Sequence, residues 1–147
     1  ICGWFTKPWG IEFFSLLGGQ IQSLDPIEHE WLRPNFKDYR IHAAVNCASI
    51  SCPPLRSEAF VADRLDQQLD DQMKQWLNDK SRNEINTSKK VFKLSKIFDW
   101  YKEDFEKWGG GVKSVVNKYI KSPLPPKDLN RVEVEYLDYD WNLNESK

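Results

Sequence analysis

The chain has 147 residues, 40% hydrophobic and 29% charged, with 21 Lys+Arg against 22 Asp+Glu. That length fits one domain with a core of its own. The balanced charge argues against general nucleic-acid binding, and no apolar run approaches the roughly 18 residues of a membrane span. Aromatic residues reach 14%, with 7 Trp and 8 Phe, which argues against disorder. They serve either as core or as the lining of a substrate groove.

The sequence begins Ile1-Cys2-Gly3-Trp4, with Phe5 and Trp9 close behind. Such aromatics want packing partners at once, so further residues of the domain upstream of Ile1 are expected. Residues 11–24 predict a hairpin, with Glu12-Phe13-Phe14 and Gln20-Ile21-Gln22 flanking a Gly18-Gly19 turn. A short helix follows. Asp25 suits its cap, Pro26 its first position, and Glu28 the reciprocal capping site. Ile27, Trp31 and Leu32 then face the core, and Pro34 ends the run.

Residues 39–46 predict a strand, with Ile41, Ala43 and Val45 on one face and Arg40, His42, Ala44 and Asn46 on the other. It leads into an ordered loop from Cys47 to Leu55, closed by Pro53-Pro54. The clearest helix spans Ala62 to Asn78. Its apolar stripe is Leu65, Leu69, Met73, Trp76 and Leu77, with acids and amides opposite.

A short strand pair near Ile85 and Val91–Leu94 precedes a helix capped by Ser95, with Ile97, Phe98, Tyr101 and Phe105 apolar. Gly109-Gly110-Gly111 stops that helix, and another runs from Val112 to Ile120. A last strand covers Val132 to Tyr139, and a polar, frayed end runs from Asn142. The elements make an α+β fold in a single domain, 1–147, with a small mostly antiparallel sheet packed with three to four helices.

Chemistry concentrates between His29 and Cys52, which bracket both histidines and two of the three cysteines. A thiol beside an imidazole can ionise near neutral pH and attack an acyl group. On a strand, the Cα atoms of His42 and Cys47 are about 16 Å apart, so the pair requires the loop to fold back, which favours Cys52. The imidazole also needs an orienting group, for which Glu28, His29 and Asn46 are candidates. Two other readings stay open. One is a Cys47–Cys52 disulfide closing a small loop. The other is a zinc site from His42, Cys47, Cys52 and Glu28 or His29, although the spacing matches no common zinc motif. Arg33, Arg40 and Arg56 flank the loop and read either as an anion grip or as solvated surface.

Three runs stand out: Ser23-Leu24-Asp25-Pro26-Ile27-Glu28-His29, Leu32-Arg33-Pro34 and, with a quite specific Cys-rich segment, Arg40-Ile41-His42-Ala43-Ala44-Val45-Asn46-Cys47-Ala48-Ser49-Ile50-Ser51-Cys52-Pro53-Pro54-Leu55. They resemble the domain-of-unknown-function family numbered 547. Leu65–Leu69 and Leu94–Phe105 are similar to that family too, so the resemblance extends from about Ile11 to Tyr119. Members of that family carry a further helix ahead of these motifs, which implies an N-terminal helical portion of the domain upstream of Ile1, and its bacterial members are often exported, which implies a periplasmic or extracellular protein. The family invites comparison with papain-like and transglutaminase-like thiol enzymes. The resemblance implies a site of Cys52, Cys47, His42 and Glu28, with His29, Arg33, Ser49 and Ser51 in binding roles. A thiol-dependent hydrolase or acyl-transferase is therefore one expected function, acting on a small molecule or peptide without a cofactor or resident metal. A non-catalytic binding or scaffold domain with a structural Cys loop is the other.

Overall fold

The computed structural model describes residues 10–12, 14–16 and 20–145. Cys2, Trp4, Phe5, Trp9 and the Gly18-Gly19 turn lie outside them. The predicted hairpin is present as β1 (Phe14–Leu16) and β2 (Gln20–Gln22), antiparallel with Phe14 opposite Gln22.

A continuous helical stretch follows, built from α1 (Leu24–Pro26), a π-helical segment (Ile27–Leu32) and α2 (Arg33–Phe36). It departs from expectation in two ways. Ser23, not Asp25, occupies the extended residue before the helix. Pro34 lies within the helix rather than ending it. Proline lacks an N–H, and its ring crowds the carbonyl one turn back. The wider π turn, in which the Arg33 N–H reaches back to Glu28 O, accommodates both just ahead of Pro34. Lys37, at φ 51°, stops the helix. Ile27, Trp31 and Leu32 are only half-buried, whereas Glu28 is buried.

The predicted strand at 39–46 is instead a single helical turn, α3 (Ile41–Ala44). Asp38 Oδ1 accepts the Arg40 N–H at 2.9 Å and starts the turn. The alternation in the sequence is one of residue type and not of burial: Ile41, His42 and Ala43 are all buried. A helix rises about 1.5 Å per residue instead of about 3.3 Å, so the long His42-to-Cys47 separation of an extended chain does not arise.

The long helix α4 (Leu65–Asn78) follows a 3-10 turn (Ala62–Arg64), as its stripe predicts. Gln68 and Gln72 join the buried side. Gln68 accepts the Val61 N–H and donates to Ala59 O, and Gln72 donates to Pro54 O, so α4 is tied to the loop in front of it.

Strands β3 (Glu84–Asn86), β4 (Val91–Leu94) and β5 (Glu133–Tyr136) form one sheet in that order. Two of the three strand pairings among the described residues are antiparallel, β1/β2 and β3/β4. The third, β4/β5, is parallel, with Phe92 opposite Val134. A parallel pairing needs a crossover. Helices α5 (Ile97–Trp100), α6 (Lys102–Gly109), α7 (Val112–Tyr119) and α8 (Pro126–Leu129) supply it.

The expected single helix from Ser95 is thus broken at Tyr101, whose φ of −109° lies off the helix. Gly110 at φ 73° and the Gly111 N–H bonded to Phe105 O close α6 in the glycine-dependent manner expected. The core sits between α4, α6, α7 and β4. Trp76 stacks on Phe98 at 4.6 Å and 6°, and Phe105 lies 4.6 Å from Phe98.

The expected frayed end is pinned from Asn142 to Asn144. Ser49 bridges Leu143, Asn142 O accepts the Ile50 N–H at 2.8 Å, and Ala48 O accepts the Asn144 N–H at 2.8 Å. This pairing lays Tyr139 and Trp141 beside the cysteine loop. No helix among the described residues is long and apolar enough to cross a membrane.

Candidate functional site

The loop after α3 folds back tightly. Asn46 clamps it, its Oδ1 accepting the Ala48 N–H at 2.7 Å and its Nδ2 donating to Pro53 O at 2.6 Å. Ala48 takes φ 62°, the Cys52 N–H bonds Ser49 O, and Arg82 holds Cys52 O. The result places the Cys47 and Cys52 sulfurs 2.7 Å apart as free thiols.

Cys52 Sγ is the better anion site. The Cys47 backbone N–H lies 3.0 Å from it, Ser49 Oγ 3.3 Å and Tyr139 Oη 3.4 Å. A hydrogen-bonded thiol from Cys47 and these hydroxyl and amide donors outweigh burial, and the Cys52 thiol is pulled down to about 5. The Cys47 thiol is pushed up in turn, first by donating to Cys52 and then by burial. These contacts favour the proton on Cys47 and the negative charge on Cys52 when the pair loses one proton. Ser49 Oγ also lies 2.9 Å from Tyr139 Oη, so the two hydroxyls are linked beside the sulfur and the single Ser49 proton goes either to Tyr139 or to Cys52.

His42 lines the same cleft as the two cysteines. Its Nε2 is 2.8 Å from Asp104 Oδ2, and Arg33 Nε donates to the same oxygen at 2.8 Å. The ring stacks on Tyr101 at 4.0 Å and 21°. Burial lowers the His42 pKa despite Asp104, so the ring is neutral at pH 7. With its Nε2–H directed at Asp104, Nδ1 is the basic nitrogen. Burial also works against the Asp104 carboxylate, but the Arg33 and His42 hydrogen bonds outweigh it and hold it below the ordinary carboxylate range.

That cleft, of about 280 Å³, is lined by Glu28, His29, His42, Cys47, Ser49 and Cys52. Val45, Pro53, Ile97, Trp100, Tyr101, Tyr139 and Trp141 complete it. Trp100 and Trp141 stack at 5.4 Å and remain 46% and 56% exposed at its edge. Part of the aromatic excess therefore lines a groove, and part of it, Trp76, Phe92, Phe98 and Phe105, is core.

Residues 8–77 match the family described as Protein of unknown function, DUF547. The resemblance read from the motifs is real over that stretch, which is just short of half the chain. No curated protein and no solved structure matches. The DUF547 stretch contributes Glu28, His29, His42, Cys47, Ser49 and Cys52 to the cleft. It also contributes Val45 and Pro53, whereas Ile97, Trp100, Tyr101, Tyr139 and Trp141 come from beyond it.

The sequence-based site residues fall as follows. His42, Cys47, Cys52 and Glu28 meet at the cleft, but Glu28 does not orient His42. Its Oε1 accepts the Tyr101 hydroxyl at 2.8 Å, and Asp104 takes the orienting place. Asn46 is a loop clamp. His29 is exposed on the rim, within 3.3 Å of Arg33 Nη1. Arg33 is a structural partner of Asp104 and lies over the Tyr101 ring at 4.9 Å. Ser51 Oγ accepts the Asp140 N–H, fastening the C-terminal segment. Arg40 is paired with Asp38, Asp66 and Asp70, and Arg56 with Glu58 and Asp71, so neither is poised as an anion grip. Among the described residues no three His, Cys, Asp or Glu side chains converge as metal ligands.

Sequence reasoning missed Asp104, Tyr101 and Tyr139. Asp104 had a signal, because it lies three residues from Tyr101 and beside Phe105, on the stripe that the apolar residues mark as buried. Tyr139 had none, because it reaches Cys52 across 87 positions.

Proposed function

We propose that the cleft is a thiol-dependent acyl-transfer site, making this DUF547 domain a hydrolase or acyl-transferase. The observation that supports it best is the joint lining of one cleft by a hydrogen-bonded pair of thiols and an imidazole held by a buried carboxylate. The Cys52 thiolate attacks the carbonyl carbon of a small acyl compound or peptide, and the leaving group departs with the proton held by Cys47. In the second step His42 Nδ1 takes a proton from the attacking water, or from an acceptor alcohol or amine, and returns it to Cys47 as Cys52 leaves. Asp104 fixes the tautomer that makes Nδ1 the base.

Iodoacetamide labelling near pH 7 with peptide mapping tests this. One thiol of the pair should react faster than an unstructured cysteine peptide, and His42→Ala should abolish turnover of activated esters. If both thiols label no faster than the peptide, the reading is wrong. One observation favours the alternative binding role: Cys52 is only 3% exposed and its loop is clamped at several points. In that case Cys47→Ser with Cys52→Ser lowers stability but leaves ligand affinity unchanged.

A further inference from the structure

We propose that Cys47 and Cys52 are a reversible redox couple that exchanges with low-molecular-weight disulfides, Cys47 being the entry thiol and Cys52 the resolving one. Four observations carry it. The two sulfurs stand 2.7 Å apart as free thiols, on a loop already folded to bring them together. The folded loop is held by Asn46 at both ends and by the αL turn at Ala48, so closing the bond asks little of the backbone. Cys47 is half-buried at the cleft while Cys52 is buried, so an incoming disulfide meets Cys47 first. Finally, the donors on Cys52 (the Cys47 amide, Ser49 and Tyr139) stabilise the sulfur that departs as thiolate on reduction. A bridge with a stabilised reduced form is a labile one rather than a structural staple.

The exchange balances in two steps. Cys47 passes its proton to the Cys52 thiolate as its sulfur attacks one sulfur of RS–SR, the external S–S bond breaks, and the departing RS⁻ takes that proton from Cys52 to leave as RSH. The Cys52 thiolate then attacks Cys47 sulfur in the mixed disulfide and expels RS⁻. The protein loses two electrons and one proton, and RS–SR becomes RSH and RS⁻. Reduction runs the same steps backwards. The couple shares its thiols with the proposed acyl-transfer site without depending on it. Once bridged, the pair offers no nucleophile, so oxidation would silence acyl transfer.

The test uses the full chain at pH 7 in graded ratios of reduced to oxidised glutathione, with acid quenching, alkylation and peptide mapping. At oxidising ratios Cys47 and Cys52 should become linked, with the loss of two of the three thiols, and dithiothreitol should restore both without denaturant. Cys52→Ser should stop at one glutathione on Cys47. Cys47→Ser should acquire glutathione on Cys52 at least tenfold more slowly. If Cys52→Ser does not fold, early quenching of the unsubstituted chain should still catch glutathione on Cys47 before the bridge appears. Three thiols persisting at every ratio, a stable glutathione adduct on the unsubstituted chain, first entry at Cys52, or a bridge reducible only in denaturant would each overturn the proposal. His42→Ala separates the two readings. It should leave this exchange intact while abolishing acyl transfer, so either property can fail alone.

Discussion

The helical body and the cleft walls are built on opposite principles. The body from α4 to α7, with β4, is centred on an apolar cluster in which Met73, Trp76, Phe92, Leu94, Phe98, Phe105 and Val116 are fully buried, with buried polar groups such as Gln68, Gln72 and Asn83 around it. The segment from Ser23 to Cys52 adds little to it beyond Tyr39 and Ala43. It buries Ser23, Glu28, His42 and Ser49 instead. Burying apolar surface is favourable in proportion to area. Burying a carboxylate or imidazole is costly unless each polar atom finds a partner. Glu28 finds Tyr101, His42 finds Asp104, and Ser49 finds Tyr139. Every one of these partners comes from after Ile97 in the chain, so the cleft depends on contacts between distant parts of the chain. The contrast teaches that the body supplies the stability and the walls spend part of it on placing polar groups.

The contrast can be broken at its strong end first. Trp76→Ala should cost about 3–5 kcal/mol, as for other large-to-small core changes, because Trp76 is 0% exposed and stacked on Phe98. A urea midpoint close to that of the unsubstituted protein would show that the body is not the stability reserve.

Asp104→Asn should cost less, about 1.5–3 kcal/mol, the range for hydrogen bonds to charged groups. It removes the charge shared by Arg33 and His42. Equilibrium urea unfolding reads the loss. The same variant should also remove His42-dependent turnover, because the Asn amide no longer specifies the tautomer. Full stability together with full turnover would separate Asp104 from both roles.

A smaller effect depends on pH. His42 has a folded-state pKa below its ordinary 6.5, chiefly through burial. Its contribution is therefore complete above pH 6.5 and declines as the pH falls from there through the folded value, because the unfolded chain binds the proton first. Urea midpoints measured from pH 7.5 to pH 5 should fall for the unsubstituted protein and fall less for His42→Gln. Parallel curves would show that His42 is not held neutral by the wall. At the weak end, Trp141→Ala should change stability by no more than about 0.5 kcal/mol, since Trp141 is 56% exposed. It should still alter the fluorescence response to a ligand entering the cleft.

Much of the body was legible in advance. The Leu69–Met73–Trp76–Leu77 stripe marks α4, the glycines after Trp108 mark the end of α6, and Val132, Val134 and Tyr136 alternate as β5 does. These signals are local, because periodicity and caps act within a few residues. The cysteine loop and its histidine were legible as a cluster, and Pro53-Pro54 as its close. The errors fall where tertiary contacts override local preference. Pro34 reads as a stop, yet a π turn absorbs it. Residues 39–46 read as a strand, yet His42 is needed on a buried helical turn against Tyr101 and Asp104.

The amino-acid order is enough for the α+β class, for the helical body and for the chemistry of the candidate residues, because these depend on side-chain type and on spacings within one turn or strand. The pairing of those residues is a tertiary matter. That Asp104 rather than Glu28 holds His42, that Tyr139 and Ser49 surround the Cys52 sulfur, and that β5 runs parallel to β4 are all set by contacts between distant parts of the chain. The physical reason is that a buried polar atom must be satisfied by whichever group the packed body brings within about 3 Å, and no local pattern in the chain encodes that neighbour.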